Sequence, residues 1–203
     1  MTTRPVDIVL FDLGGVLYDP GGVAPLREMA GIDNDDELWR RWLSCRWARD
    51  YEAGRCSDQA FAQGVVEDWS LDLTPDEFLT AFGSWPNGPY EGAEELVRDT
   101  MVVRPVGCLS NTNAKHWAAH FTHWDVLHEL EWRFLSFELG HVKPDREVFA
   151  AVAAKLPIPP DQVLFLDDNL INVEGAQALG FQAERVQGVS QARQALVAWG
   201  VLD

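Results

Sequence analysis

Ile8-Val9-Leu10-Phe11-Asp12-Leu13-Gly14-Gly15 is the stretch from which the fold of this chain is read. Its four leading residues are continuously apolar and too few for a helix. They read as a strand buried on both faces, the pattern of a parallel sheet covered by helices. The run stops on a carboxylate, and the glycines after it let the backbone turn tightly and approach a ligand. Ligands in open α/β sheets bind beyond the carboxyl ends of the strands, so Asp12 stands at a position suited to chemistry. The same figure, an apolar run ending in a polar island, recurs downstream. Residues 106–109 lead into Ser110-Asn111-Thr112-Asn113, and residues 163–166 lead into Asp167-Asp168-Asn169, with Asn172 one turn later. Lys143-Pro144-Asp145 opens a helical pattern of its own.

Working outward, residues 134–137 and 181–186 are further strand candidates, and helical patterns cover 93–103, 114–131, 146–156, 173–179 and 191–199. Strand and helix alternate, which implies right-handed βαβ units. The expected fold class is α/β, a Rossmann-like parallel sheet flanked by helices. Residues 18–90 break the rhythm, because a crossover between parallel strands needs only about a dozen residues. That insertion carries helical signals: an amphipathic stretch over 37–50, a helix over 57–69 with Ser57 as N-cap, and a start at Thr74-Pro75-Asp76-Glu77. The last is a capping box with proline in the first helical position. Pro86, Gly88, Pro89 and Gly92 read as the return to the sheet. The expected organisation is a core of residues 1–17 and 91–203 with a helical cap over 18–90.

The chain of 203 residues, 47% hydrophobic and 24% charged, is long enough for a substantial core. Its net charge of -16 repels nucleic-acid backbones at long range, so no nucleic-acid partner is expected. Any phosphorylated ligand requires a local positive centre, which Lys143 and a divalent cation would supply. Cys45, Cys56 and Cys108 are odd in number and lack CxxC spacing, which favours a reducing compartment over a disulfide framework. Residues 1–6 carry no long apolar region of the signal-peptide kind, and no apolar run approaches the roughly 20 residues of a membrane helix. A cytoplasmic protein with no membrane partner is expected; the sequence leaves the oligomeric state open.

Each island has a plain structural reading beside a chemical one. Asp12 is either a turn former or a covalent nucleophile, ionised at neutral pH without a general base. Ser110 and Asn111 are either helix caps or, with the N–H groups behind them, an anion site. Lys143 is a surface lysine or a neutraliser of phosphoryl oxygens. Asp167 and Asp168 are adjacent and repel one another unless a cation or strong donor is present. Mg²⁺ takes oxygen ligands and keeps several waters, so Asp12, the carbonyl of Gly14 and Asp168 make a reasonable ligand set, with Asp167 or Asn172 acting through water. His116, His120 and His123 have helical spacing that zinc could use, but their Trp- and Phe-rich setting favours packing. His116 is near enough to the second island to be a substrate contact. The tryptophans at 39, 42, 47, 69 and 85 are read as helix packing, and Arg46 and Arg49 as candidates to face the cleft.

In this order the islands resemble the four motifs of the haloacid dehalogenase-like hydrolase superfamily. The wording of Ser110-Asn111-Thr112-Asn113 and Asp167-Asp168-Asn169, with Glu174-Gly175-Ala176, looks most like bacterial sugar-phosphate phosphatases of the α-D-glucose-1-phosphatase type. The resemblance implies Asp12 as nucleophile and metal ligand, Ser110 and Asn111 as phosphate binders, Lys143 as charge stabiliser and Asp168 as metal ligand. One departure stands out. Most members carry a second aspartate two residues after the nucleophile, as general acid and base, and here that position is Gly14. The expected function is a Mg²⁺-dependent phosphatase of a small phosphorylated metabolite, for which a sugar 1-phosphate would suit Gly14 because its leaving oxygen is less basic. The rivals are a metal-free 2-haloacid dehalogenase using Asp12, or a non-catalytic binding module on the same fold.

Overall fold

The computed structural model of the protein describes residues 5–203. The expectations that touch residues 1–4 (the first residues of the core and the nature of the N-terminus) lie outside the described residues. Among the described residues seven strands are formed: β1 (Ile8–Phe11), β2 (Tyr18–Asp19), β3 (Gly88–Pro89), β4 (Val106–Ser110), β5 (Trp132–Leu135), β6 (Val163–Asp167) and β7 (Gln182–Arg185). Five of them make an all-parallel sheet in the order β5-β4-β1-β6-β7. β1 is therefore central, with β4 and β6 as its two neighbours. β2 and β3 pair antiparallel as a separate short ribbon.

Twelve helices are described: α1 (Val23–Ala30), α2 (Asp35–Ser44), α3 (Arg46–Glu52), α4 (Asp58–Trp69), α5 (Pro75–Gly83), α6 (Ala93–Val103), α7 (Ala114–His116), α8 (Val126–Glu129), α9 (Ser136–Leu139), α10 (Arg146–Ala153), α11 (Leu170–Ala178) and α12 (Gly188–Ala198). The alternation of strand side chains divides the core in two. Val9 and Phe11 pack with Leu96 and Val97 of α6 and Leu196 of α12. Ile8 and Leu10 face the other way, toward Val148, Phe149 and Val152 of α10 and Val173 and Ala176 of α11. Helices on both faces explain why β1, β4 and β6 read as unbroken apolar runs.

A third apolar cluster is built from residues 26–85 alone, with Trp42, Phe61, Phe78, Phe82 and Trp85 at its centre. Phe61 and Tyr51 stack with centroids 4.2 Å apart. Gly64 sits mid-helix because a Cβ there would collide with the ring of Trp47. Ser57 caps α4 as expected, its side chain accepting from Ala60 N–H at 3.3 Å. Thr74 and Glu77 form the reciprocal capping box of α5.

Two expected helices are broken. The stretch 37–50 is split at Cys45, which is extended (φ -67°, ψ 117°) and separates α2 from α3. The stretch 114–131 is α7, a π-helical turn Trp117–Phe121 and then, after Trp124, α8. Its ring contacts account for the break: Phe121 and Trp124 pack on Tyr18, with Phe121 at 4.5 Å. His116 and His120 turn instead to Phe82 O and Gly83 O, at 2.7 and 2.8 Å. The strand expected at 134–137 begins at Trp132 and gives way to α9 at Ser136. Among the described residues no helix is long and apolar enough to cross a membrane.

Candidate active site

Strand register brings the islands together. Phe11 lies opposite Cys108 of β4 and Leu166 of β6, so the residues after each strand emerge at one edge. Asp12 N–H still bonds to Leu166 O at 2.8 Å, which sets Asp12 level with Asp167. Its own Oδ1 accepts from Leu13 N–H at 2.8 Å, fixing the carboxylate's rotamer. Gly15 has a left-handed backbone (φ 72°), and a Cβ there would strike the carboxylate of Asp168. The glycine thus lets Asp168 lean over the loop.

Lys143 is the hub. It is 1% exposed, and its Nζ reaches Asp12 Oδ1 at 2.9 Å, Asp167 Oδ2 at 2.7 Å and Leu109 O at 3.0 Å. The surface-lysine alternative is thereby ruled out. An ammonium has three donors, and all three are used. Burial pushes its pKa down, but Asp12 and Asp167 outweigh that and hold it above the usual lysine range. Asp167 is saturated as an acceptor. Besides Lys143 it takes Asn169 N–H at 2.8 Å on Oδ1 and the Asn172 amide at 3.0 and 3.2 Å on both oxygens.

The three carboxylates Asp12, Asp167 and Asp168 each present an oxygen within 4.8 Å of the others. Against one ammonium they leave two formal negative charges unmatched. Burial is the largest cause lifting Asp12 well above the ordinary carboxylate range, with Asp167 and Asp168 adding to it and Lys143 opposing. Burial, then Asp167, lifts Asp168 to about 6. A hard divalent cation suits this donor set in both charge and chemistry. Asp12 and Asp168 are the better-placed direct ligands, since Asp167 already has its lone pairs engaged.

The second island is less open than the sequence implies. The side chain of Asn111 is committed to Lys143, with Nδ2 donating to Lys143 O at 3.0 Å and Oδ1 accepting from Lys143 N–H at 2.8 Å. Ser110 is buried. The helix behind it is only α7, capped by Asn113 Oδ1 on His116 N–H at 2.9 Å. His116 meets Phe82 O and Asn113 Nδ2 with its ring nitrogens and stacks on Phe82. Burial lowers its pKa to about 4. It joins the helical segment 75–83 to the sheet side, and no metal-ligating group with His120 and His123 is found among the described residues.

The segment 49–55 meets the islands directly. Arg49 pairs with Asp145 at 2.6–2.7 Å. Ser136 Oγ donates to Glu52 O at 2.6 Å and also bonds the N–H and C=O of Thr112, each at 2.9 Å. Arg55 donates to Gly140 O at 2.9 Å. Arg46, by contrast, is 76% exposed, pairs with Asp50 and lies over the ring of Trp47. Glu52 and Ser136 were not singled out in the sequence. No local pattern marks them, because their roles arise where two distant segments touch.

Comparison with known proteins agrees with this layout. A D-ribitol-5-phosphate phosphatase of Bacteroides thetaiotaomicron is 24% identical over 196 residues, covering 93% of this chain and 95% of the relative. An (S)-2-haloacid dehalogenase of Xanthobacter autotrophicus is 27% identical over 199 residues, covering 92% and 77%. A HAD-family enzyme from Bacteroides thetaiotaomicron, solved in complex with magnesium and inorganic phosphate, superposes with a TM-score of 0.69 at 26% identity, covering 90% of this chain and 94% of that one. The family model of haloacid dehalogenase-like hydrolases runs from residue 6 to 180, through all four islands, and the chain belongs to that family of hydrolases.

Proposed function

We propose that the protein is a Mg²⁺-dependent phosphatase of a small phosphorylated metabolite, with Asp12 as its nucleophile. The observation that carries this is the buried cluster in which Lys143 holds Asp12 at 2.9 Å while Asp167 and Asp168 stand within 4.8 Å of it. Support comes from the relative named as a ribitol-phosphate phosphatase and from the related structure holding magnesium and phosphate. When bound, Mg²⁺ would offset the unmatched carboxylate charge and draw a phosphoryl group into an acidic protein. Asp12, Asp168 and the Gly14 carbonyl would hold it, with Asp167 behind them anchoring Lys143. Ser110 and the main-chain N–H of Asn111 would cradle the phosphate oxygens, the N–H of Thr112 being already given to Ser136 Oγ.

In the first step an oxygen of Asp12 forms a bond to phosphorus as the bond to the leaving oxygen breaks, giving an aspartyl-phosphate and a leaving oxygen that must take up a proton to depart as an alcohol. Lys143 stabilises the charge that develops on the transferred group. Water then attacks phosphorus, releasing phosphate and regenerating Asp12. Residues 18–90 act as the cap over this site, and residues 5–17 and 91–203 as the core. The test is phosphate release from p-nitrophenyl phosphate and a sugar-phosphate panel. Hydrolysis that EDTA abolishes, Mg²⁺ restores and Asp12→Asn eliminates supports the reading. Activity indifferent to chelation or to that substitution overturns it.

A second reading has two observations behind it: Gly14 offers no proton donor, where halide leaves without a proton, and one of the relatives is named as an (S)-2-haloacid dehalogenase. Metal-independent halide release from 2-chloropropionate would establish the dehalogenase. The three gathered carboxylates, which such a reaction does not need, favour the phosphatase.

A further inference from the structure

Expelling an alkoxide from a phosphate ester calls for a proton, delivered by a group within reach and with a pKa near the working pH. Position 14 has no side chain to supply it. Sterics do not impose that absence: a Cβ on Gly14 would meet only Pro20 Cβ at 3.9 Å, an ordinary contact, and its backbone is outside the left-handed region.

The other acids around the cluster are engaged. Both oxygens of Asp167 are taken by Lys143, Asn169 and Asn172. Asp168 belongs with the cation. Both oxygens of Asp145 lie on Arg49 Nη2. His116 is bonded at both ring nitrogens and is neutral near pH 7. Burial raises Tyr90 above 10, where it holds its proton too tightly.

Glu52 remains. It is the last residue of α3, and its carbonyl is one hydroxyl, that of Ser136, away from the main chain of Thr112 in the phosphate-binding island. Arg49 on Asp145 and Arg55 on Gly140 fasten the same segment to the core on either side of it. Its Oε1 accepts from Trp42 Nε1 at 3.3 Å, and its Oε2 has no hydrogen-bond partner among the described residues. The charged groups facing it are Lys143 and Arg49.

We infer that Glu52, reaching from the cap, is the general acid and base of the phosphatase reaction. Protonated, it gives its proton to the leaving oxygen as Asp12 takes the phosphoryl group. As the carboxylate it then removes a proton from the water that attacks the aspartyl-phosphate, and the cycle closes with its proton restored. Burial lifts Glu52 from 4.5 to about 7, against the opposing pull of Trp42, Lys143 and Arg49, which suits a group that must both give and take a proton near neutrality. The inference rests on the phosphatase reading.

The experiment compares kcat/KM, which reports steps up to leaving-group departure, for an alkyl phosphate (glycerol 3-phosphate or a sugar 6-phosphate) and for p-nitrophenyl phosphate, whose leaving group departs without a proton. In Glu52→Gln the alkyl-to-aryl ratio should fall by about 100-fold or more. Glu52→Asp should recover part of it, and Gly14→Asp in the Glu52→Gln background should restore it by placing a carboxylate at the open position. Thermal unfolding of each variant separates misfolding from chemistry. Equal losses on both substrates, or none on either, overturn the role of Glu52 while leaving the phosphatase reading intact. Wild-type protein inactive on both substrates overturns the phosphatase reading and this inference with it.

Discussion

The sheet and the helical region of residues 26–85 are built on opposite principles. The helical region closes on rings: Trp42, Phe61, Phe78, Phe82 and Trp85 fill its centre, with the carboxylate of Glu52 at its margin on Trp42 Nε1. The sheet, equally dry, keeps Asp12, Lys143 and Asp167 at its carboxyl edge, with Asp167 fully buried. Replacing buried ions by apolar groups is often neutral or stabilising, whereas removing one partner of a pair is not. Apart from Glu52 beside Trp42, the helical region is thus packed on apolar contacts, and the sheet edge retains ions that packing alone would not call for. Such a cluster is the mark of a site held for chemistry.

The hardest test of that contrast is Asp12→Asn. Turnover should drop by about 10⁴-fold or more, with the fold retained, read by phosphate release and circular dichroism. Lys143→Met should break both function and stability. It strands Asp12 and Asp167 without their cation, at a cost of about 3–5 kcal/mol, measured by denaturant unfolding with and without Mg²⁺. Phe61→Ala in α4 should cost a similar amount, about 3–5 kcal/mol, through its cavity, yet leave the Mg²⁺ affinity of the sheet edge near wild type. If metal affinity falls in parallel with stability, the two regions are not separable in the way described.

A pH series sharpens the comparison further. In the folded, metal-free protein burial raises Glu52 from 4.5 to about 7 and Asp168 from 3.8 to about 6. Through these two groups the native state holds protons that the unfolded chain has released, so their contribution to stability declines as pH climbs through 6 and 7, whereas His116, lowered by burial from 6.5 to about 4, opposes them below about 6.5. Once His116 is neutral in both states, the unfolding midpoint in EDTA should drop between about pH 6.5 and 8, with a shallower slope in Glu52→Gln. The smallest effect is expected at Arg49→Ala. The pair it breaks is 26% and 39% exposed, so the loss should be about 0–1 kcal/mol.

The sheet and its edge were legible in the sequence because each strand is an apolar run ending abruptly on polar residues. The caps at Ser57 and Thr74 were equally plain, being local bonds between neighbours three residues apart. What escaped depends on contacts between distant segments. Nothing near Lys143 reveals that it is almost wholly enclosed, or that Asn111 spends its amide on that residue's main chain. The break after His116 follows from a ring and two imidazoles choosing different partners, and periodicity within 114–131 is blind to it. Glu52 escaped for the same reason, since its surroundings are assembled from residues 42, 112, 136 and 143.

The small ribbon of Tyr18–Asp19 against Gly88–Pro89 has its own consequence. The chain leaves the sheet and comes back to it at points about 5 Å apart, one strand spacing. To the sheet, everything beyond that clasp is a single closed loop, whatever its length. Under the proposed reading, exchanging that loop as a cassette leaves Asp12, Lys143, Asp167 and Asp168 where they are, and any replacement must bring its own acid to the place of Glu52.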